Sequence, residues 1–549
     1  MSNKELADLI FPNITKTIED YEKEYPIRNL KEGAVVTRYA PSPTGFIHIG
    51  ALLSSFTSSV FAKQTDGVLF LRIEDTDTKR TVDNGISKII NGLKEFEVTF
   101  DEGPISEEEN VGNYGPYIQS ERKEIYQAFV KHLIIEGKAY PCFCTHEEID
   151  EMRKMQEMDK QRIGYYGSYA KCRNLSNEEC ARRINSGEKY IIRFRSNGDY
   201  NKKIVCHDLV KGDILFPEND LDIVINKADG LPTYHFAHLV DDYLMRTTHV
   251  IRSDEWVSSL PLHYQLFDAF GFKRPKYAHI APLAKVDEET GGVRKLSKRK
   301  DPECAMSYYH ELGIPYEAVR LYLATITSSG FEEWYLHNPD GKIEEYKFEF
   351  KKISKSPTLF DLDKLNNISR NYISRLSASD LYQRVSKHLK QYDNEFYDIF
   401  TKDENYSTNI LNIERVQKKP RKDIGCYSDV KKEIWYMYDE LFNNLEYDYQ
   451  KITDKDEIRN ILNLYIDKYF DENDDKDTWF NKIKSLCEKL GYCSDMKEYK
   501  NNPDKYKGSV ADVSTVIRVA LTTRSMTPDL YEIMKLLGKE RITERIKRI

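Results

Sequence analysis

The chain lacks any run of eighteen apolar residues, so nothing in it reads as a membrane-spanning helix. It also lacks a positive balance: 82 Lys and Arg stand against 90 Asp and Glu, a formal net charge of −8. That total does not advertise a nucleic-acid binder, so any polyanion has to be met by local basic runs. The opening stretch MSNKELADLIFPNITKTIEDYEKEYPIRN is too acidic and too polar for an export signal, and a soluble cytoplasmic protein is expected. Its nine cysteines are therefore expected as reduced thiols, which makes the close pair Cys142 and Cys144 a candidate for metal binding rather than for a disulfide. Neither an internal repeat nor a low-complexity tract is present.

What the chain has is length and order. Its 549 residues, 40% of them hydrophobic, exceed what one core holds, and three or more domains are expected. AVVTRYA reads as a strand, PSPTG as a loop and Ile49 to Lys63 as a helix; Val68 to Ile73 is a second strand, ending in EDTDTKR and followed by a helix through Ile86, Ile89, Ile90 and Leu93. This is the βαβ rhythm of a parallel sheet. From about Gln119 to Pro217 the pattern changes and reads as an insertion, with strands at KYIIRFR and ILFP. The sheet is expected to resume at LDIVINKADG and THVIRSDEW, and helical spacing dominates beyond His310.

Two segments carry chemistry. A Pro, Ser, Thr and Gly loop between a strand and a helix turns backbone N–H groups toward an anion, and His48 and Gly50 stand where that helix begins. An imidazole there can donate to a phosphate, and a glycine lets a nucleotide lie against the backbone. Much later, RKLSKRKD sets Lys295, Lys298, Arg299 and Lys300 around Ser297, enough positive charge for a triphosphate. Two further basic runs, KKPRKD and ERITERIKRI, read as solvated faces when taken alone.

RYAPSPTGFIHIG and KLSKR resemble the two signature motifs of glutamyl-tRNA synthetases, a class I family on a Rossmann-like domain. LFLRIEDTD, DEGP, GPYIQSER, ADGLPTYHFAHLVDD, HVIRSDEW, VIRVALT and LLGKER extend the resemblance in order from about Val35 to the C-terminus. It implies a Rossmann-like α/β catalytic domain in two halves, 34–118 and 219–309, around an inserted α+β acceptor-stem domain, 119–218. A stem-contact linker, 310–365, and an all-α anticodon-binding region, 366–549, follow; residues 1–33 are an N-terminal extension.

The resemblance further implies ATP-dependent activation of L-glutamate and transfer to the 3′-terminal adenosine of tRNA-Glu, with Mg²⁺ on the phosphates. His48 and Lys298 are the expected catalytic pair, and Gly50, Glu255, Trp256, Lys295 and Arg299 complete the ATP set. For glutamate it implies Arg38 and Arg252 on the side-chain carboxylate, Glu74 on the ammonium, and Ala40, Ser42, Tyr234 and His238 around them. His238 departs from the asparagine of the family pattern and reads equally as a core residue. Some members bind zinc through three cysteines and a tyrosine, which implies Cys142, Cys144 and Cys172 with Tyr169; Tyr166 and His146 remain alternatives for the fourth ligand. APSPTG, rather than a PPEPNG-like sequence, argues against a glutaminyl enzyme, and the long helical tail against the short glutamate-activating paralogues that modify a tRNA base; a small-molecule nucleotidyltransferase of the same superfamily would turn over without tRNA. Whether tRNA-Gln is charged as well is decided in the helical region, and a monomer already has the parts required.

Overall fold

The computed structural model describes residues 1–43, 47–77, 82–443 and 445–549. Thr44, Gly45 and Phe46 of the anion loop and Thr78 to Thr81 after the second strand lie outside the described residues. The chain divides into two units, Met1–Tyr308 with Arg320–Asp361, and Tyr309–Val319 with Leu362–Ile549. The segment expected as one linker, 310–365, is thus shared between them.

In the first unit, β1 (Val36–Tyr39) runs parallel to β2 (Val68–Leu71). They are joined by α1 (Ile49–Lys63), whose Leu52, Leu53, Phe56, Val60 and Phe61 are all buried. Apolar strands and a helix apolar on most sides are what a sheet covered on both faces requires. Gly67 opens β2 so close to β1 that a Cβ there would stand 2.0 Å from the Val35 carbonyl oxygen. The sheet continues with α2 (Tyr234–Leu244), β3 (His249–Ser253), α3 (Leu260–Phe270) and β4 (Lys276–Ile280), with β3 and β4 parallel. Thr248 joins β3 to β1: its N–H donates to the Val36 carbonyl at 2.9 Å, and its hydroxyl accepts from the Val36 N–H at 2.8 Å. Joined through Thr248, the strands lie in the order β2, β1, β3, β4, and the side on which successive strands are added reverses between β1 and β3.

One expected strand lies elsewhere. Val224–Asn226, from LDIVIN, pairs antiparallel with Ile191–Phe194, which in turn pairs with Ala139–Cys142. The insertion's own sheet therefore ends only at Asn226, and β3 is where the parallel sheet resumes. A hairpin of the insertion, Lys203–Asp208 with Gly212–Pro217, instead reaches β4, where Asp208 is the register partner of Tyr277.

Residues 1–33 form a strap. Helices Asn3–Ile10 and Ile18–Glu24 each begin in a capping box, at Ser2 and Thr17. They bury Leu6, Ile10, Ile18 and Tyr21 in one cluster with Ile125, Phe129 and Leu133 of the insertion's first helix. Arg28 then holds Glu102 with two bonds of 2.6 and 2.9 Å, donates to the Met245 carbonyl at 3.1 Å and lies 3.8 Å from the Tyr114 ring centroid.

The second unit is helical throughout its described residues, apart from loops and one isolated bridge. Part of its basic C-terminal run is core: Arg545 is buried, donates to the carbonyls of Tyr436 and Leu521 at 2.7 Å each and pairs with Asp439 at 2.9 Å. Lys418 and Lys419 of the other basic run are exposed. No helix among the described residues is long and apolar enough to cross a membrane.

Arg28→Ala leaves Glu102 half-enclosed without its counter-ion, so the urea midpoint should fall by the equivalent of about 3 kcal/mol. An unchanged midpoint would show that the strap adds nothing to stability.

Candidate active site

The carboxyl ends of β1, β3 and β4 surround a cavity of about 410 Å³ at the point where the strand order reverses, and His48, Gly50, Ser253, Glu255, Lys295 and Lys298 are among its lining residues. His48 is the N-cap of α1, and its Nδ1 accepts the Ala51 N–H at 3.1 Å, which leaves the ring proton on Nε2. A Cβ at Gly50 would stand 3.1 Å from that Nδ1, so the glycine makes room for the ring as well as lining the cavity. Burial, and then the lysines at 298 and 295, push His48 down to about 4. It is a neutral donor at the head of a helix.

The lysine loop is tied at its base. Arg294 bonds both Asp301 oxygens at 2.6 and 2.8 Å, and the Ser297 N–H donates to the same carboxylate at 2.9 Å. Lys295 pairs with Glu255 across the cavity mouth. Arg299 is exposed. Trp256 lies on the Tyr234 ring, 4.1 Å between centroids.

Beside this cavity is a lattice of buried charge. Arg38 on β1 donates through Nε to Asp242 at 3.1 Å, and Arg72, just past β2, donates to the same carboxylate at 2.8 Å and to Glu74 at 3.0 Å. Neighbouring Asp241 accepts from Arg122 at 2.7 Å, Gln119 at 2.8 Å and the Tyr126 hydroxyl at 2.9 Å. Two guanidinia hold Asp242 well below the usual carboxylate range. Burial outweighs Arg72 and Arg38 at Glu74 and raises it. The backbone beyond β1, which carries Ala40 and Ser42, runs alongside Arg72 to Glu74, with the Glu74 N–H donating to the Pro41 carbonyl at 3.0 Å.

Arg252 is held differently. Its three donations go to uncharged acceptors: Nε to His279 Nε2 at 3.0 Å, Nη1 to the Tyr234 hydroxyl at 3.1 Å and Nη2 to His263 Nδ1 at 3.1 Å. Burial raises the Tyr234 hydroxyl above its ordinary value, while Arg252, which donates to it, acts to lower it. His238 has no exposure, with Nε2 3.1 Å from the Tyr277 hydroxyl and Nδ1 2.7 Å from Asp242. It is packed in the core and shares Asp242 with Arg38, in keeping with the core alternative that the sequence left open.

The cysteine cluster also corrects the expectation. The sulfurs of Cys142, Cys144 and Cys172 lie within 4.8 Å of one another. The tyrosine beside them is Tyr165, its hydroxyl 3.5 Å from Cys142 Sγ and 3.4 Å from Cys144 Sγ. Tyr169 is carried away by the turn Gly167–Tyr169, and its hydroxyl donates to Asp159 at 3.3 Å; the Tyr166 hydroxyl bonds the Arg162 carbonyl, and His146 is exposed. Arg72, Asp241, Asp242, Asp208, His263 and His279, which bond or adjoin the candidate residues, are ones that motif reading passed over. The one available signal was position: Arg252 and His279 are register partners on parallel strands.

A histidine-capped helix and a basic loop at the switch point of a parallel sheet define the class I aminoacyl-tRNA synthetase type. Residues 34–367 match the family described as tRNA synthetases class I (E and Q), catalytic domain, and residues 380–549 match an anticodon binding domain. The glutamate–tRNA ligase of Clostridium perfringens (strain SM101 / Type A) is 49% identical over 100% of this chain and 99% of its own length. That of Clostridium beijerinckii is 47% identical over 99% of each. The crystal structure of the glutamate-tRNA synthetase from Elizabethkingia anophelis matches with a TM-score of 0.74 at 25% identity, over 94% of this chain and 99% of that one. The chain belongs to the glutamate–tRNA ligase family.

Burial depresses several histidines from their ordinary 6.5: His235 and His249 to about 4 and His238 to about 3, alongside His48. Between pH 6.5 and about 4 the unfolded chain takes up protons that the folded chain refuses. The stability these rings contribute is therefore complete above pH 6.5 and declines as pH falls through that window. Urea midpoints should be lower at pH 5 than at pH 7, whereas a flat profile would mean that the rings are charged in the fold.

Proposed function

We propose that the protein activates L-glutamate with ATP and transfers it to tRNA-Glu, with the pocket of Arg38, Glu74, Tyr234 and Arg252 taking the amino acid and the cavity under His48 taking the nucleotide. The observation that carries this is Arg252, a buried cation whose bonds all go to neutral groups, one of them the Tyr234 hydroxyl; Glu74 is the carboxylate assigned to the ammonium. It suits a substrate with one carboxylate to spare.

In this reading the α-carboxylate of glutamate attacks the α-phosphorus of ATP, which arrives with Mg²⁺, and pyrophosphate leaves. The terminal adenosine hydroxyl of tRNA then attacks the acyl carbon and AMP departs. The chain's own part is positional and electrostatic. His48 Nε2–H donates to phosphate oxygens, Lys295 and Lys298 neutralise the departing pyrophosphate, and the helical dipole of α1 adds to both. Glu255 holds Lys295 until ATP enters. The insertion takes the acceptor end, and the helical region 366–549 reads the anticodon. The chain acts as a monomer.

The three thiolates and Tyr165 fit one zinc ion. A tetrahedron with Zn–S bonds of about 2.3 Å has edges of about 3.8 Å, and the Cys144–Cys172 and tyrosine–sulfur separations are 3.4–3.6 Å. Zinc there would cross-link the strand Ala139–Cys142 to the loop that carries Cys172, a structural service.

Pure protein given ATP, labelled glutamate or glutamine and separate tRNA transcripts should charge glutamate onto tRNA-Glu, and glutamate on tRNA-Gln in the same assay would widen its range. Arg252→Ala should lower kcat/KM for glutamate at least about thirtyfold; wild-type charging by that variant would sink the pocket assignment. For the metal, elemental analysis should find one zinc per chain, lost in Cys172→Ser and weakened in Tyr165→Phe but not in Tyr169→Phe. A zinc content insensitive to Tyr165 would return the fourth ligand to open question.

A further inference from the structure

Every N–H···N or N–H···O bond that Arg252 makes to the protein has a direction forced by chemistry, because a guanidinium only donates. His279 must therefore present a bare Nε2, with its proton on Nδ1, and Nδ1 lies 2.6 Å from Asp208. Asp208 is buried, comes from the insertion's hairpin and also accepts the backbone N–H groups of His279 at 3.1 Å, Val210 at 2.9 Å and Lys211 at 2.8 Å, so its place is fixed. His263 must likewise present a bare Nδ1, and its Nε2–H then points to His235 Nδ1 at 3.0 Å. Two relays of neutral rings, one ending on a carboxylate a full imidazole away, thus aim the guanidinium from two sides.

Three of the five guanidinium hydrogens are used in this way, and one remains on each of Nη1 and Nη2 with no partner among the described residues. A carboxylate can bridge that pair. Arg38, by contrast, spends its charge on Asp242.

We propose that His263 and His279 are specificity-positioning residues, neutral acceptors that orient Arg252 without neutralising it, so that the side-chain carboxylate of the substrate is the counter-ion the pocket lacks. This rests on the reading of Arg252 as the carboxylate-binding residue. Glutamine offers the same fork an amide, which brings no charge and turns one of its two ends into a donor facing donors. The discrimination follows from the protonation state of the two rings as much as from Arg252 itself. Asp208 sets that state for His279.

The test contrasts near-isosteric side chains at one position. His263→Gln keeps a neutral acceptor beside Nη2, and His263→Glu supplies the carboxylate that the natural site withholds. The KM for glutamate in aminoacylation should be about thirtyfold higher in H263E than in H263Q, with kcat differing by less than about fivefold, and preference for glutamate over glutamine should fall by a similar factor. Equal KM values in the two variants would overturn the proposal, because a merely structural histidine has no reason to distinguish Gln from Glu by charge.

ATP binding at the neighbouring cavity checks folding. Should H263E fail that check, Asp208→Asn reads the same relation without placing charge beside Arg252. Its amide hydrogens favour the other His279 tautomer and set a proton against Arg252 Nε, raising KM about tenfold. The double variant D208N/H279Q, whose side-chain carbonyl needs no tautomer, should recover most of that loss, and failure to recover would count against the proposal. If Arg252→Ala itself leaves KM unchanged, the pocket reading has failed. If it raises KM while H263E and H263Q agree, only the role of the histidines has.

Discussion

Asp242 is the point on which the site is assembled. It sits at zero side-chain exposure on α2 and takes a bond from Arg38 of β1 and another from Arg72 beyond β2, so one carboxylate closes a circuit through three elements. Two of those elements precede the insertion and the third follows it. A sheet split by about a hundred residues of other structure needs something other than local sequence to register its halves. The backbone bond from Thr248 to Val36 does this at one end of the strands, and the carboxylate does it at the other. Such a buried pair contributes less net stability than its Coulomb energy implies, since desolvation offsets most of the attraction, yet removing one partner leaves a charge with nowhere to go. Its main service is geometric.

That arrangement divides labour between two arginines that sequence alone treats as equivalents. Arg38 is already compensated, so its remaining capacity is for hydrogen bonding and shape. Arg252 is aimed by neutral rings and retains its charge for a ligand. A site built this way gains little from an uncharged amide side chain and a great deal from a carboxylate. On the proposed reading of Arg252, that asymmetry would separate glutamate from glutamine, two molecules of almost equal size.

Much of this was legible beforehand. The helix from Ile49 to Lys63 and the strands around it follow directly from β-branched runs, a Pro- and Gly-rich break and helical spacing, because the local signals and the tertiary environment agree there. The strand at Val224–Asn226 was assigned to the wrong sheet, since periodicity marks a strand without naming its partner. The fourth group near the sulfurs follows a related rule: counting from Cys172 along the chain favours Tyr169, but a short turn takes the Tyr169 hydroxyl to Asp159 and leaves that of Tyr165 beside the sulfurs. Arg72 was hidden in an apolar strand, where a charged residue reads as an edge until three carboxylates are seen to close around it.

Asp208 shows why the remainder could not be read from motifs. It belongs to the inserted segment, seventy-one residues from His279, and no spacing rule connects them. It reaches β4 because the hairpin adds itself to the edge of the parallel sheet there, with Tyr277 as the register partner of Asp208. The consequence is that the insertion is a structural part of the surroundings of Arg252. One end of its hairpin fixes an imidazole, the imidazole fixes Arg252, and each link is a bond of 3.0 Å or less. A displacement of the hairpin relative to β4 is therefore felt at the guanidinium through two bonds rather than through a diffuse shift of the core, which ties the placement of the inserted hairpin to the aim of Arg252.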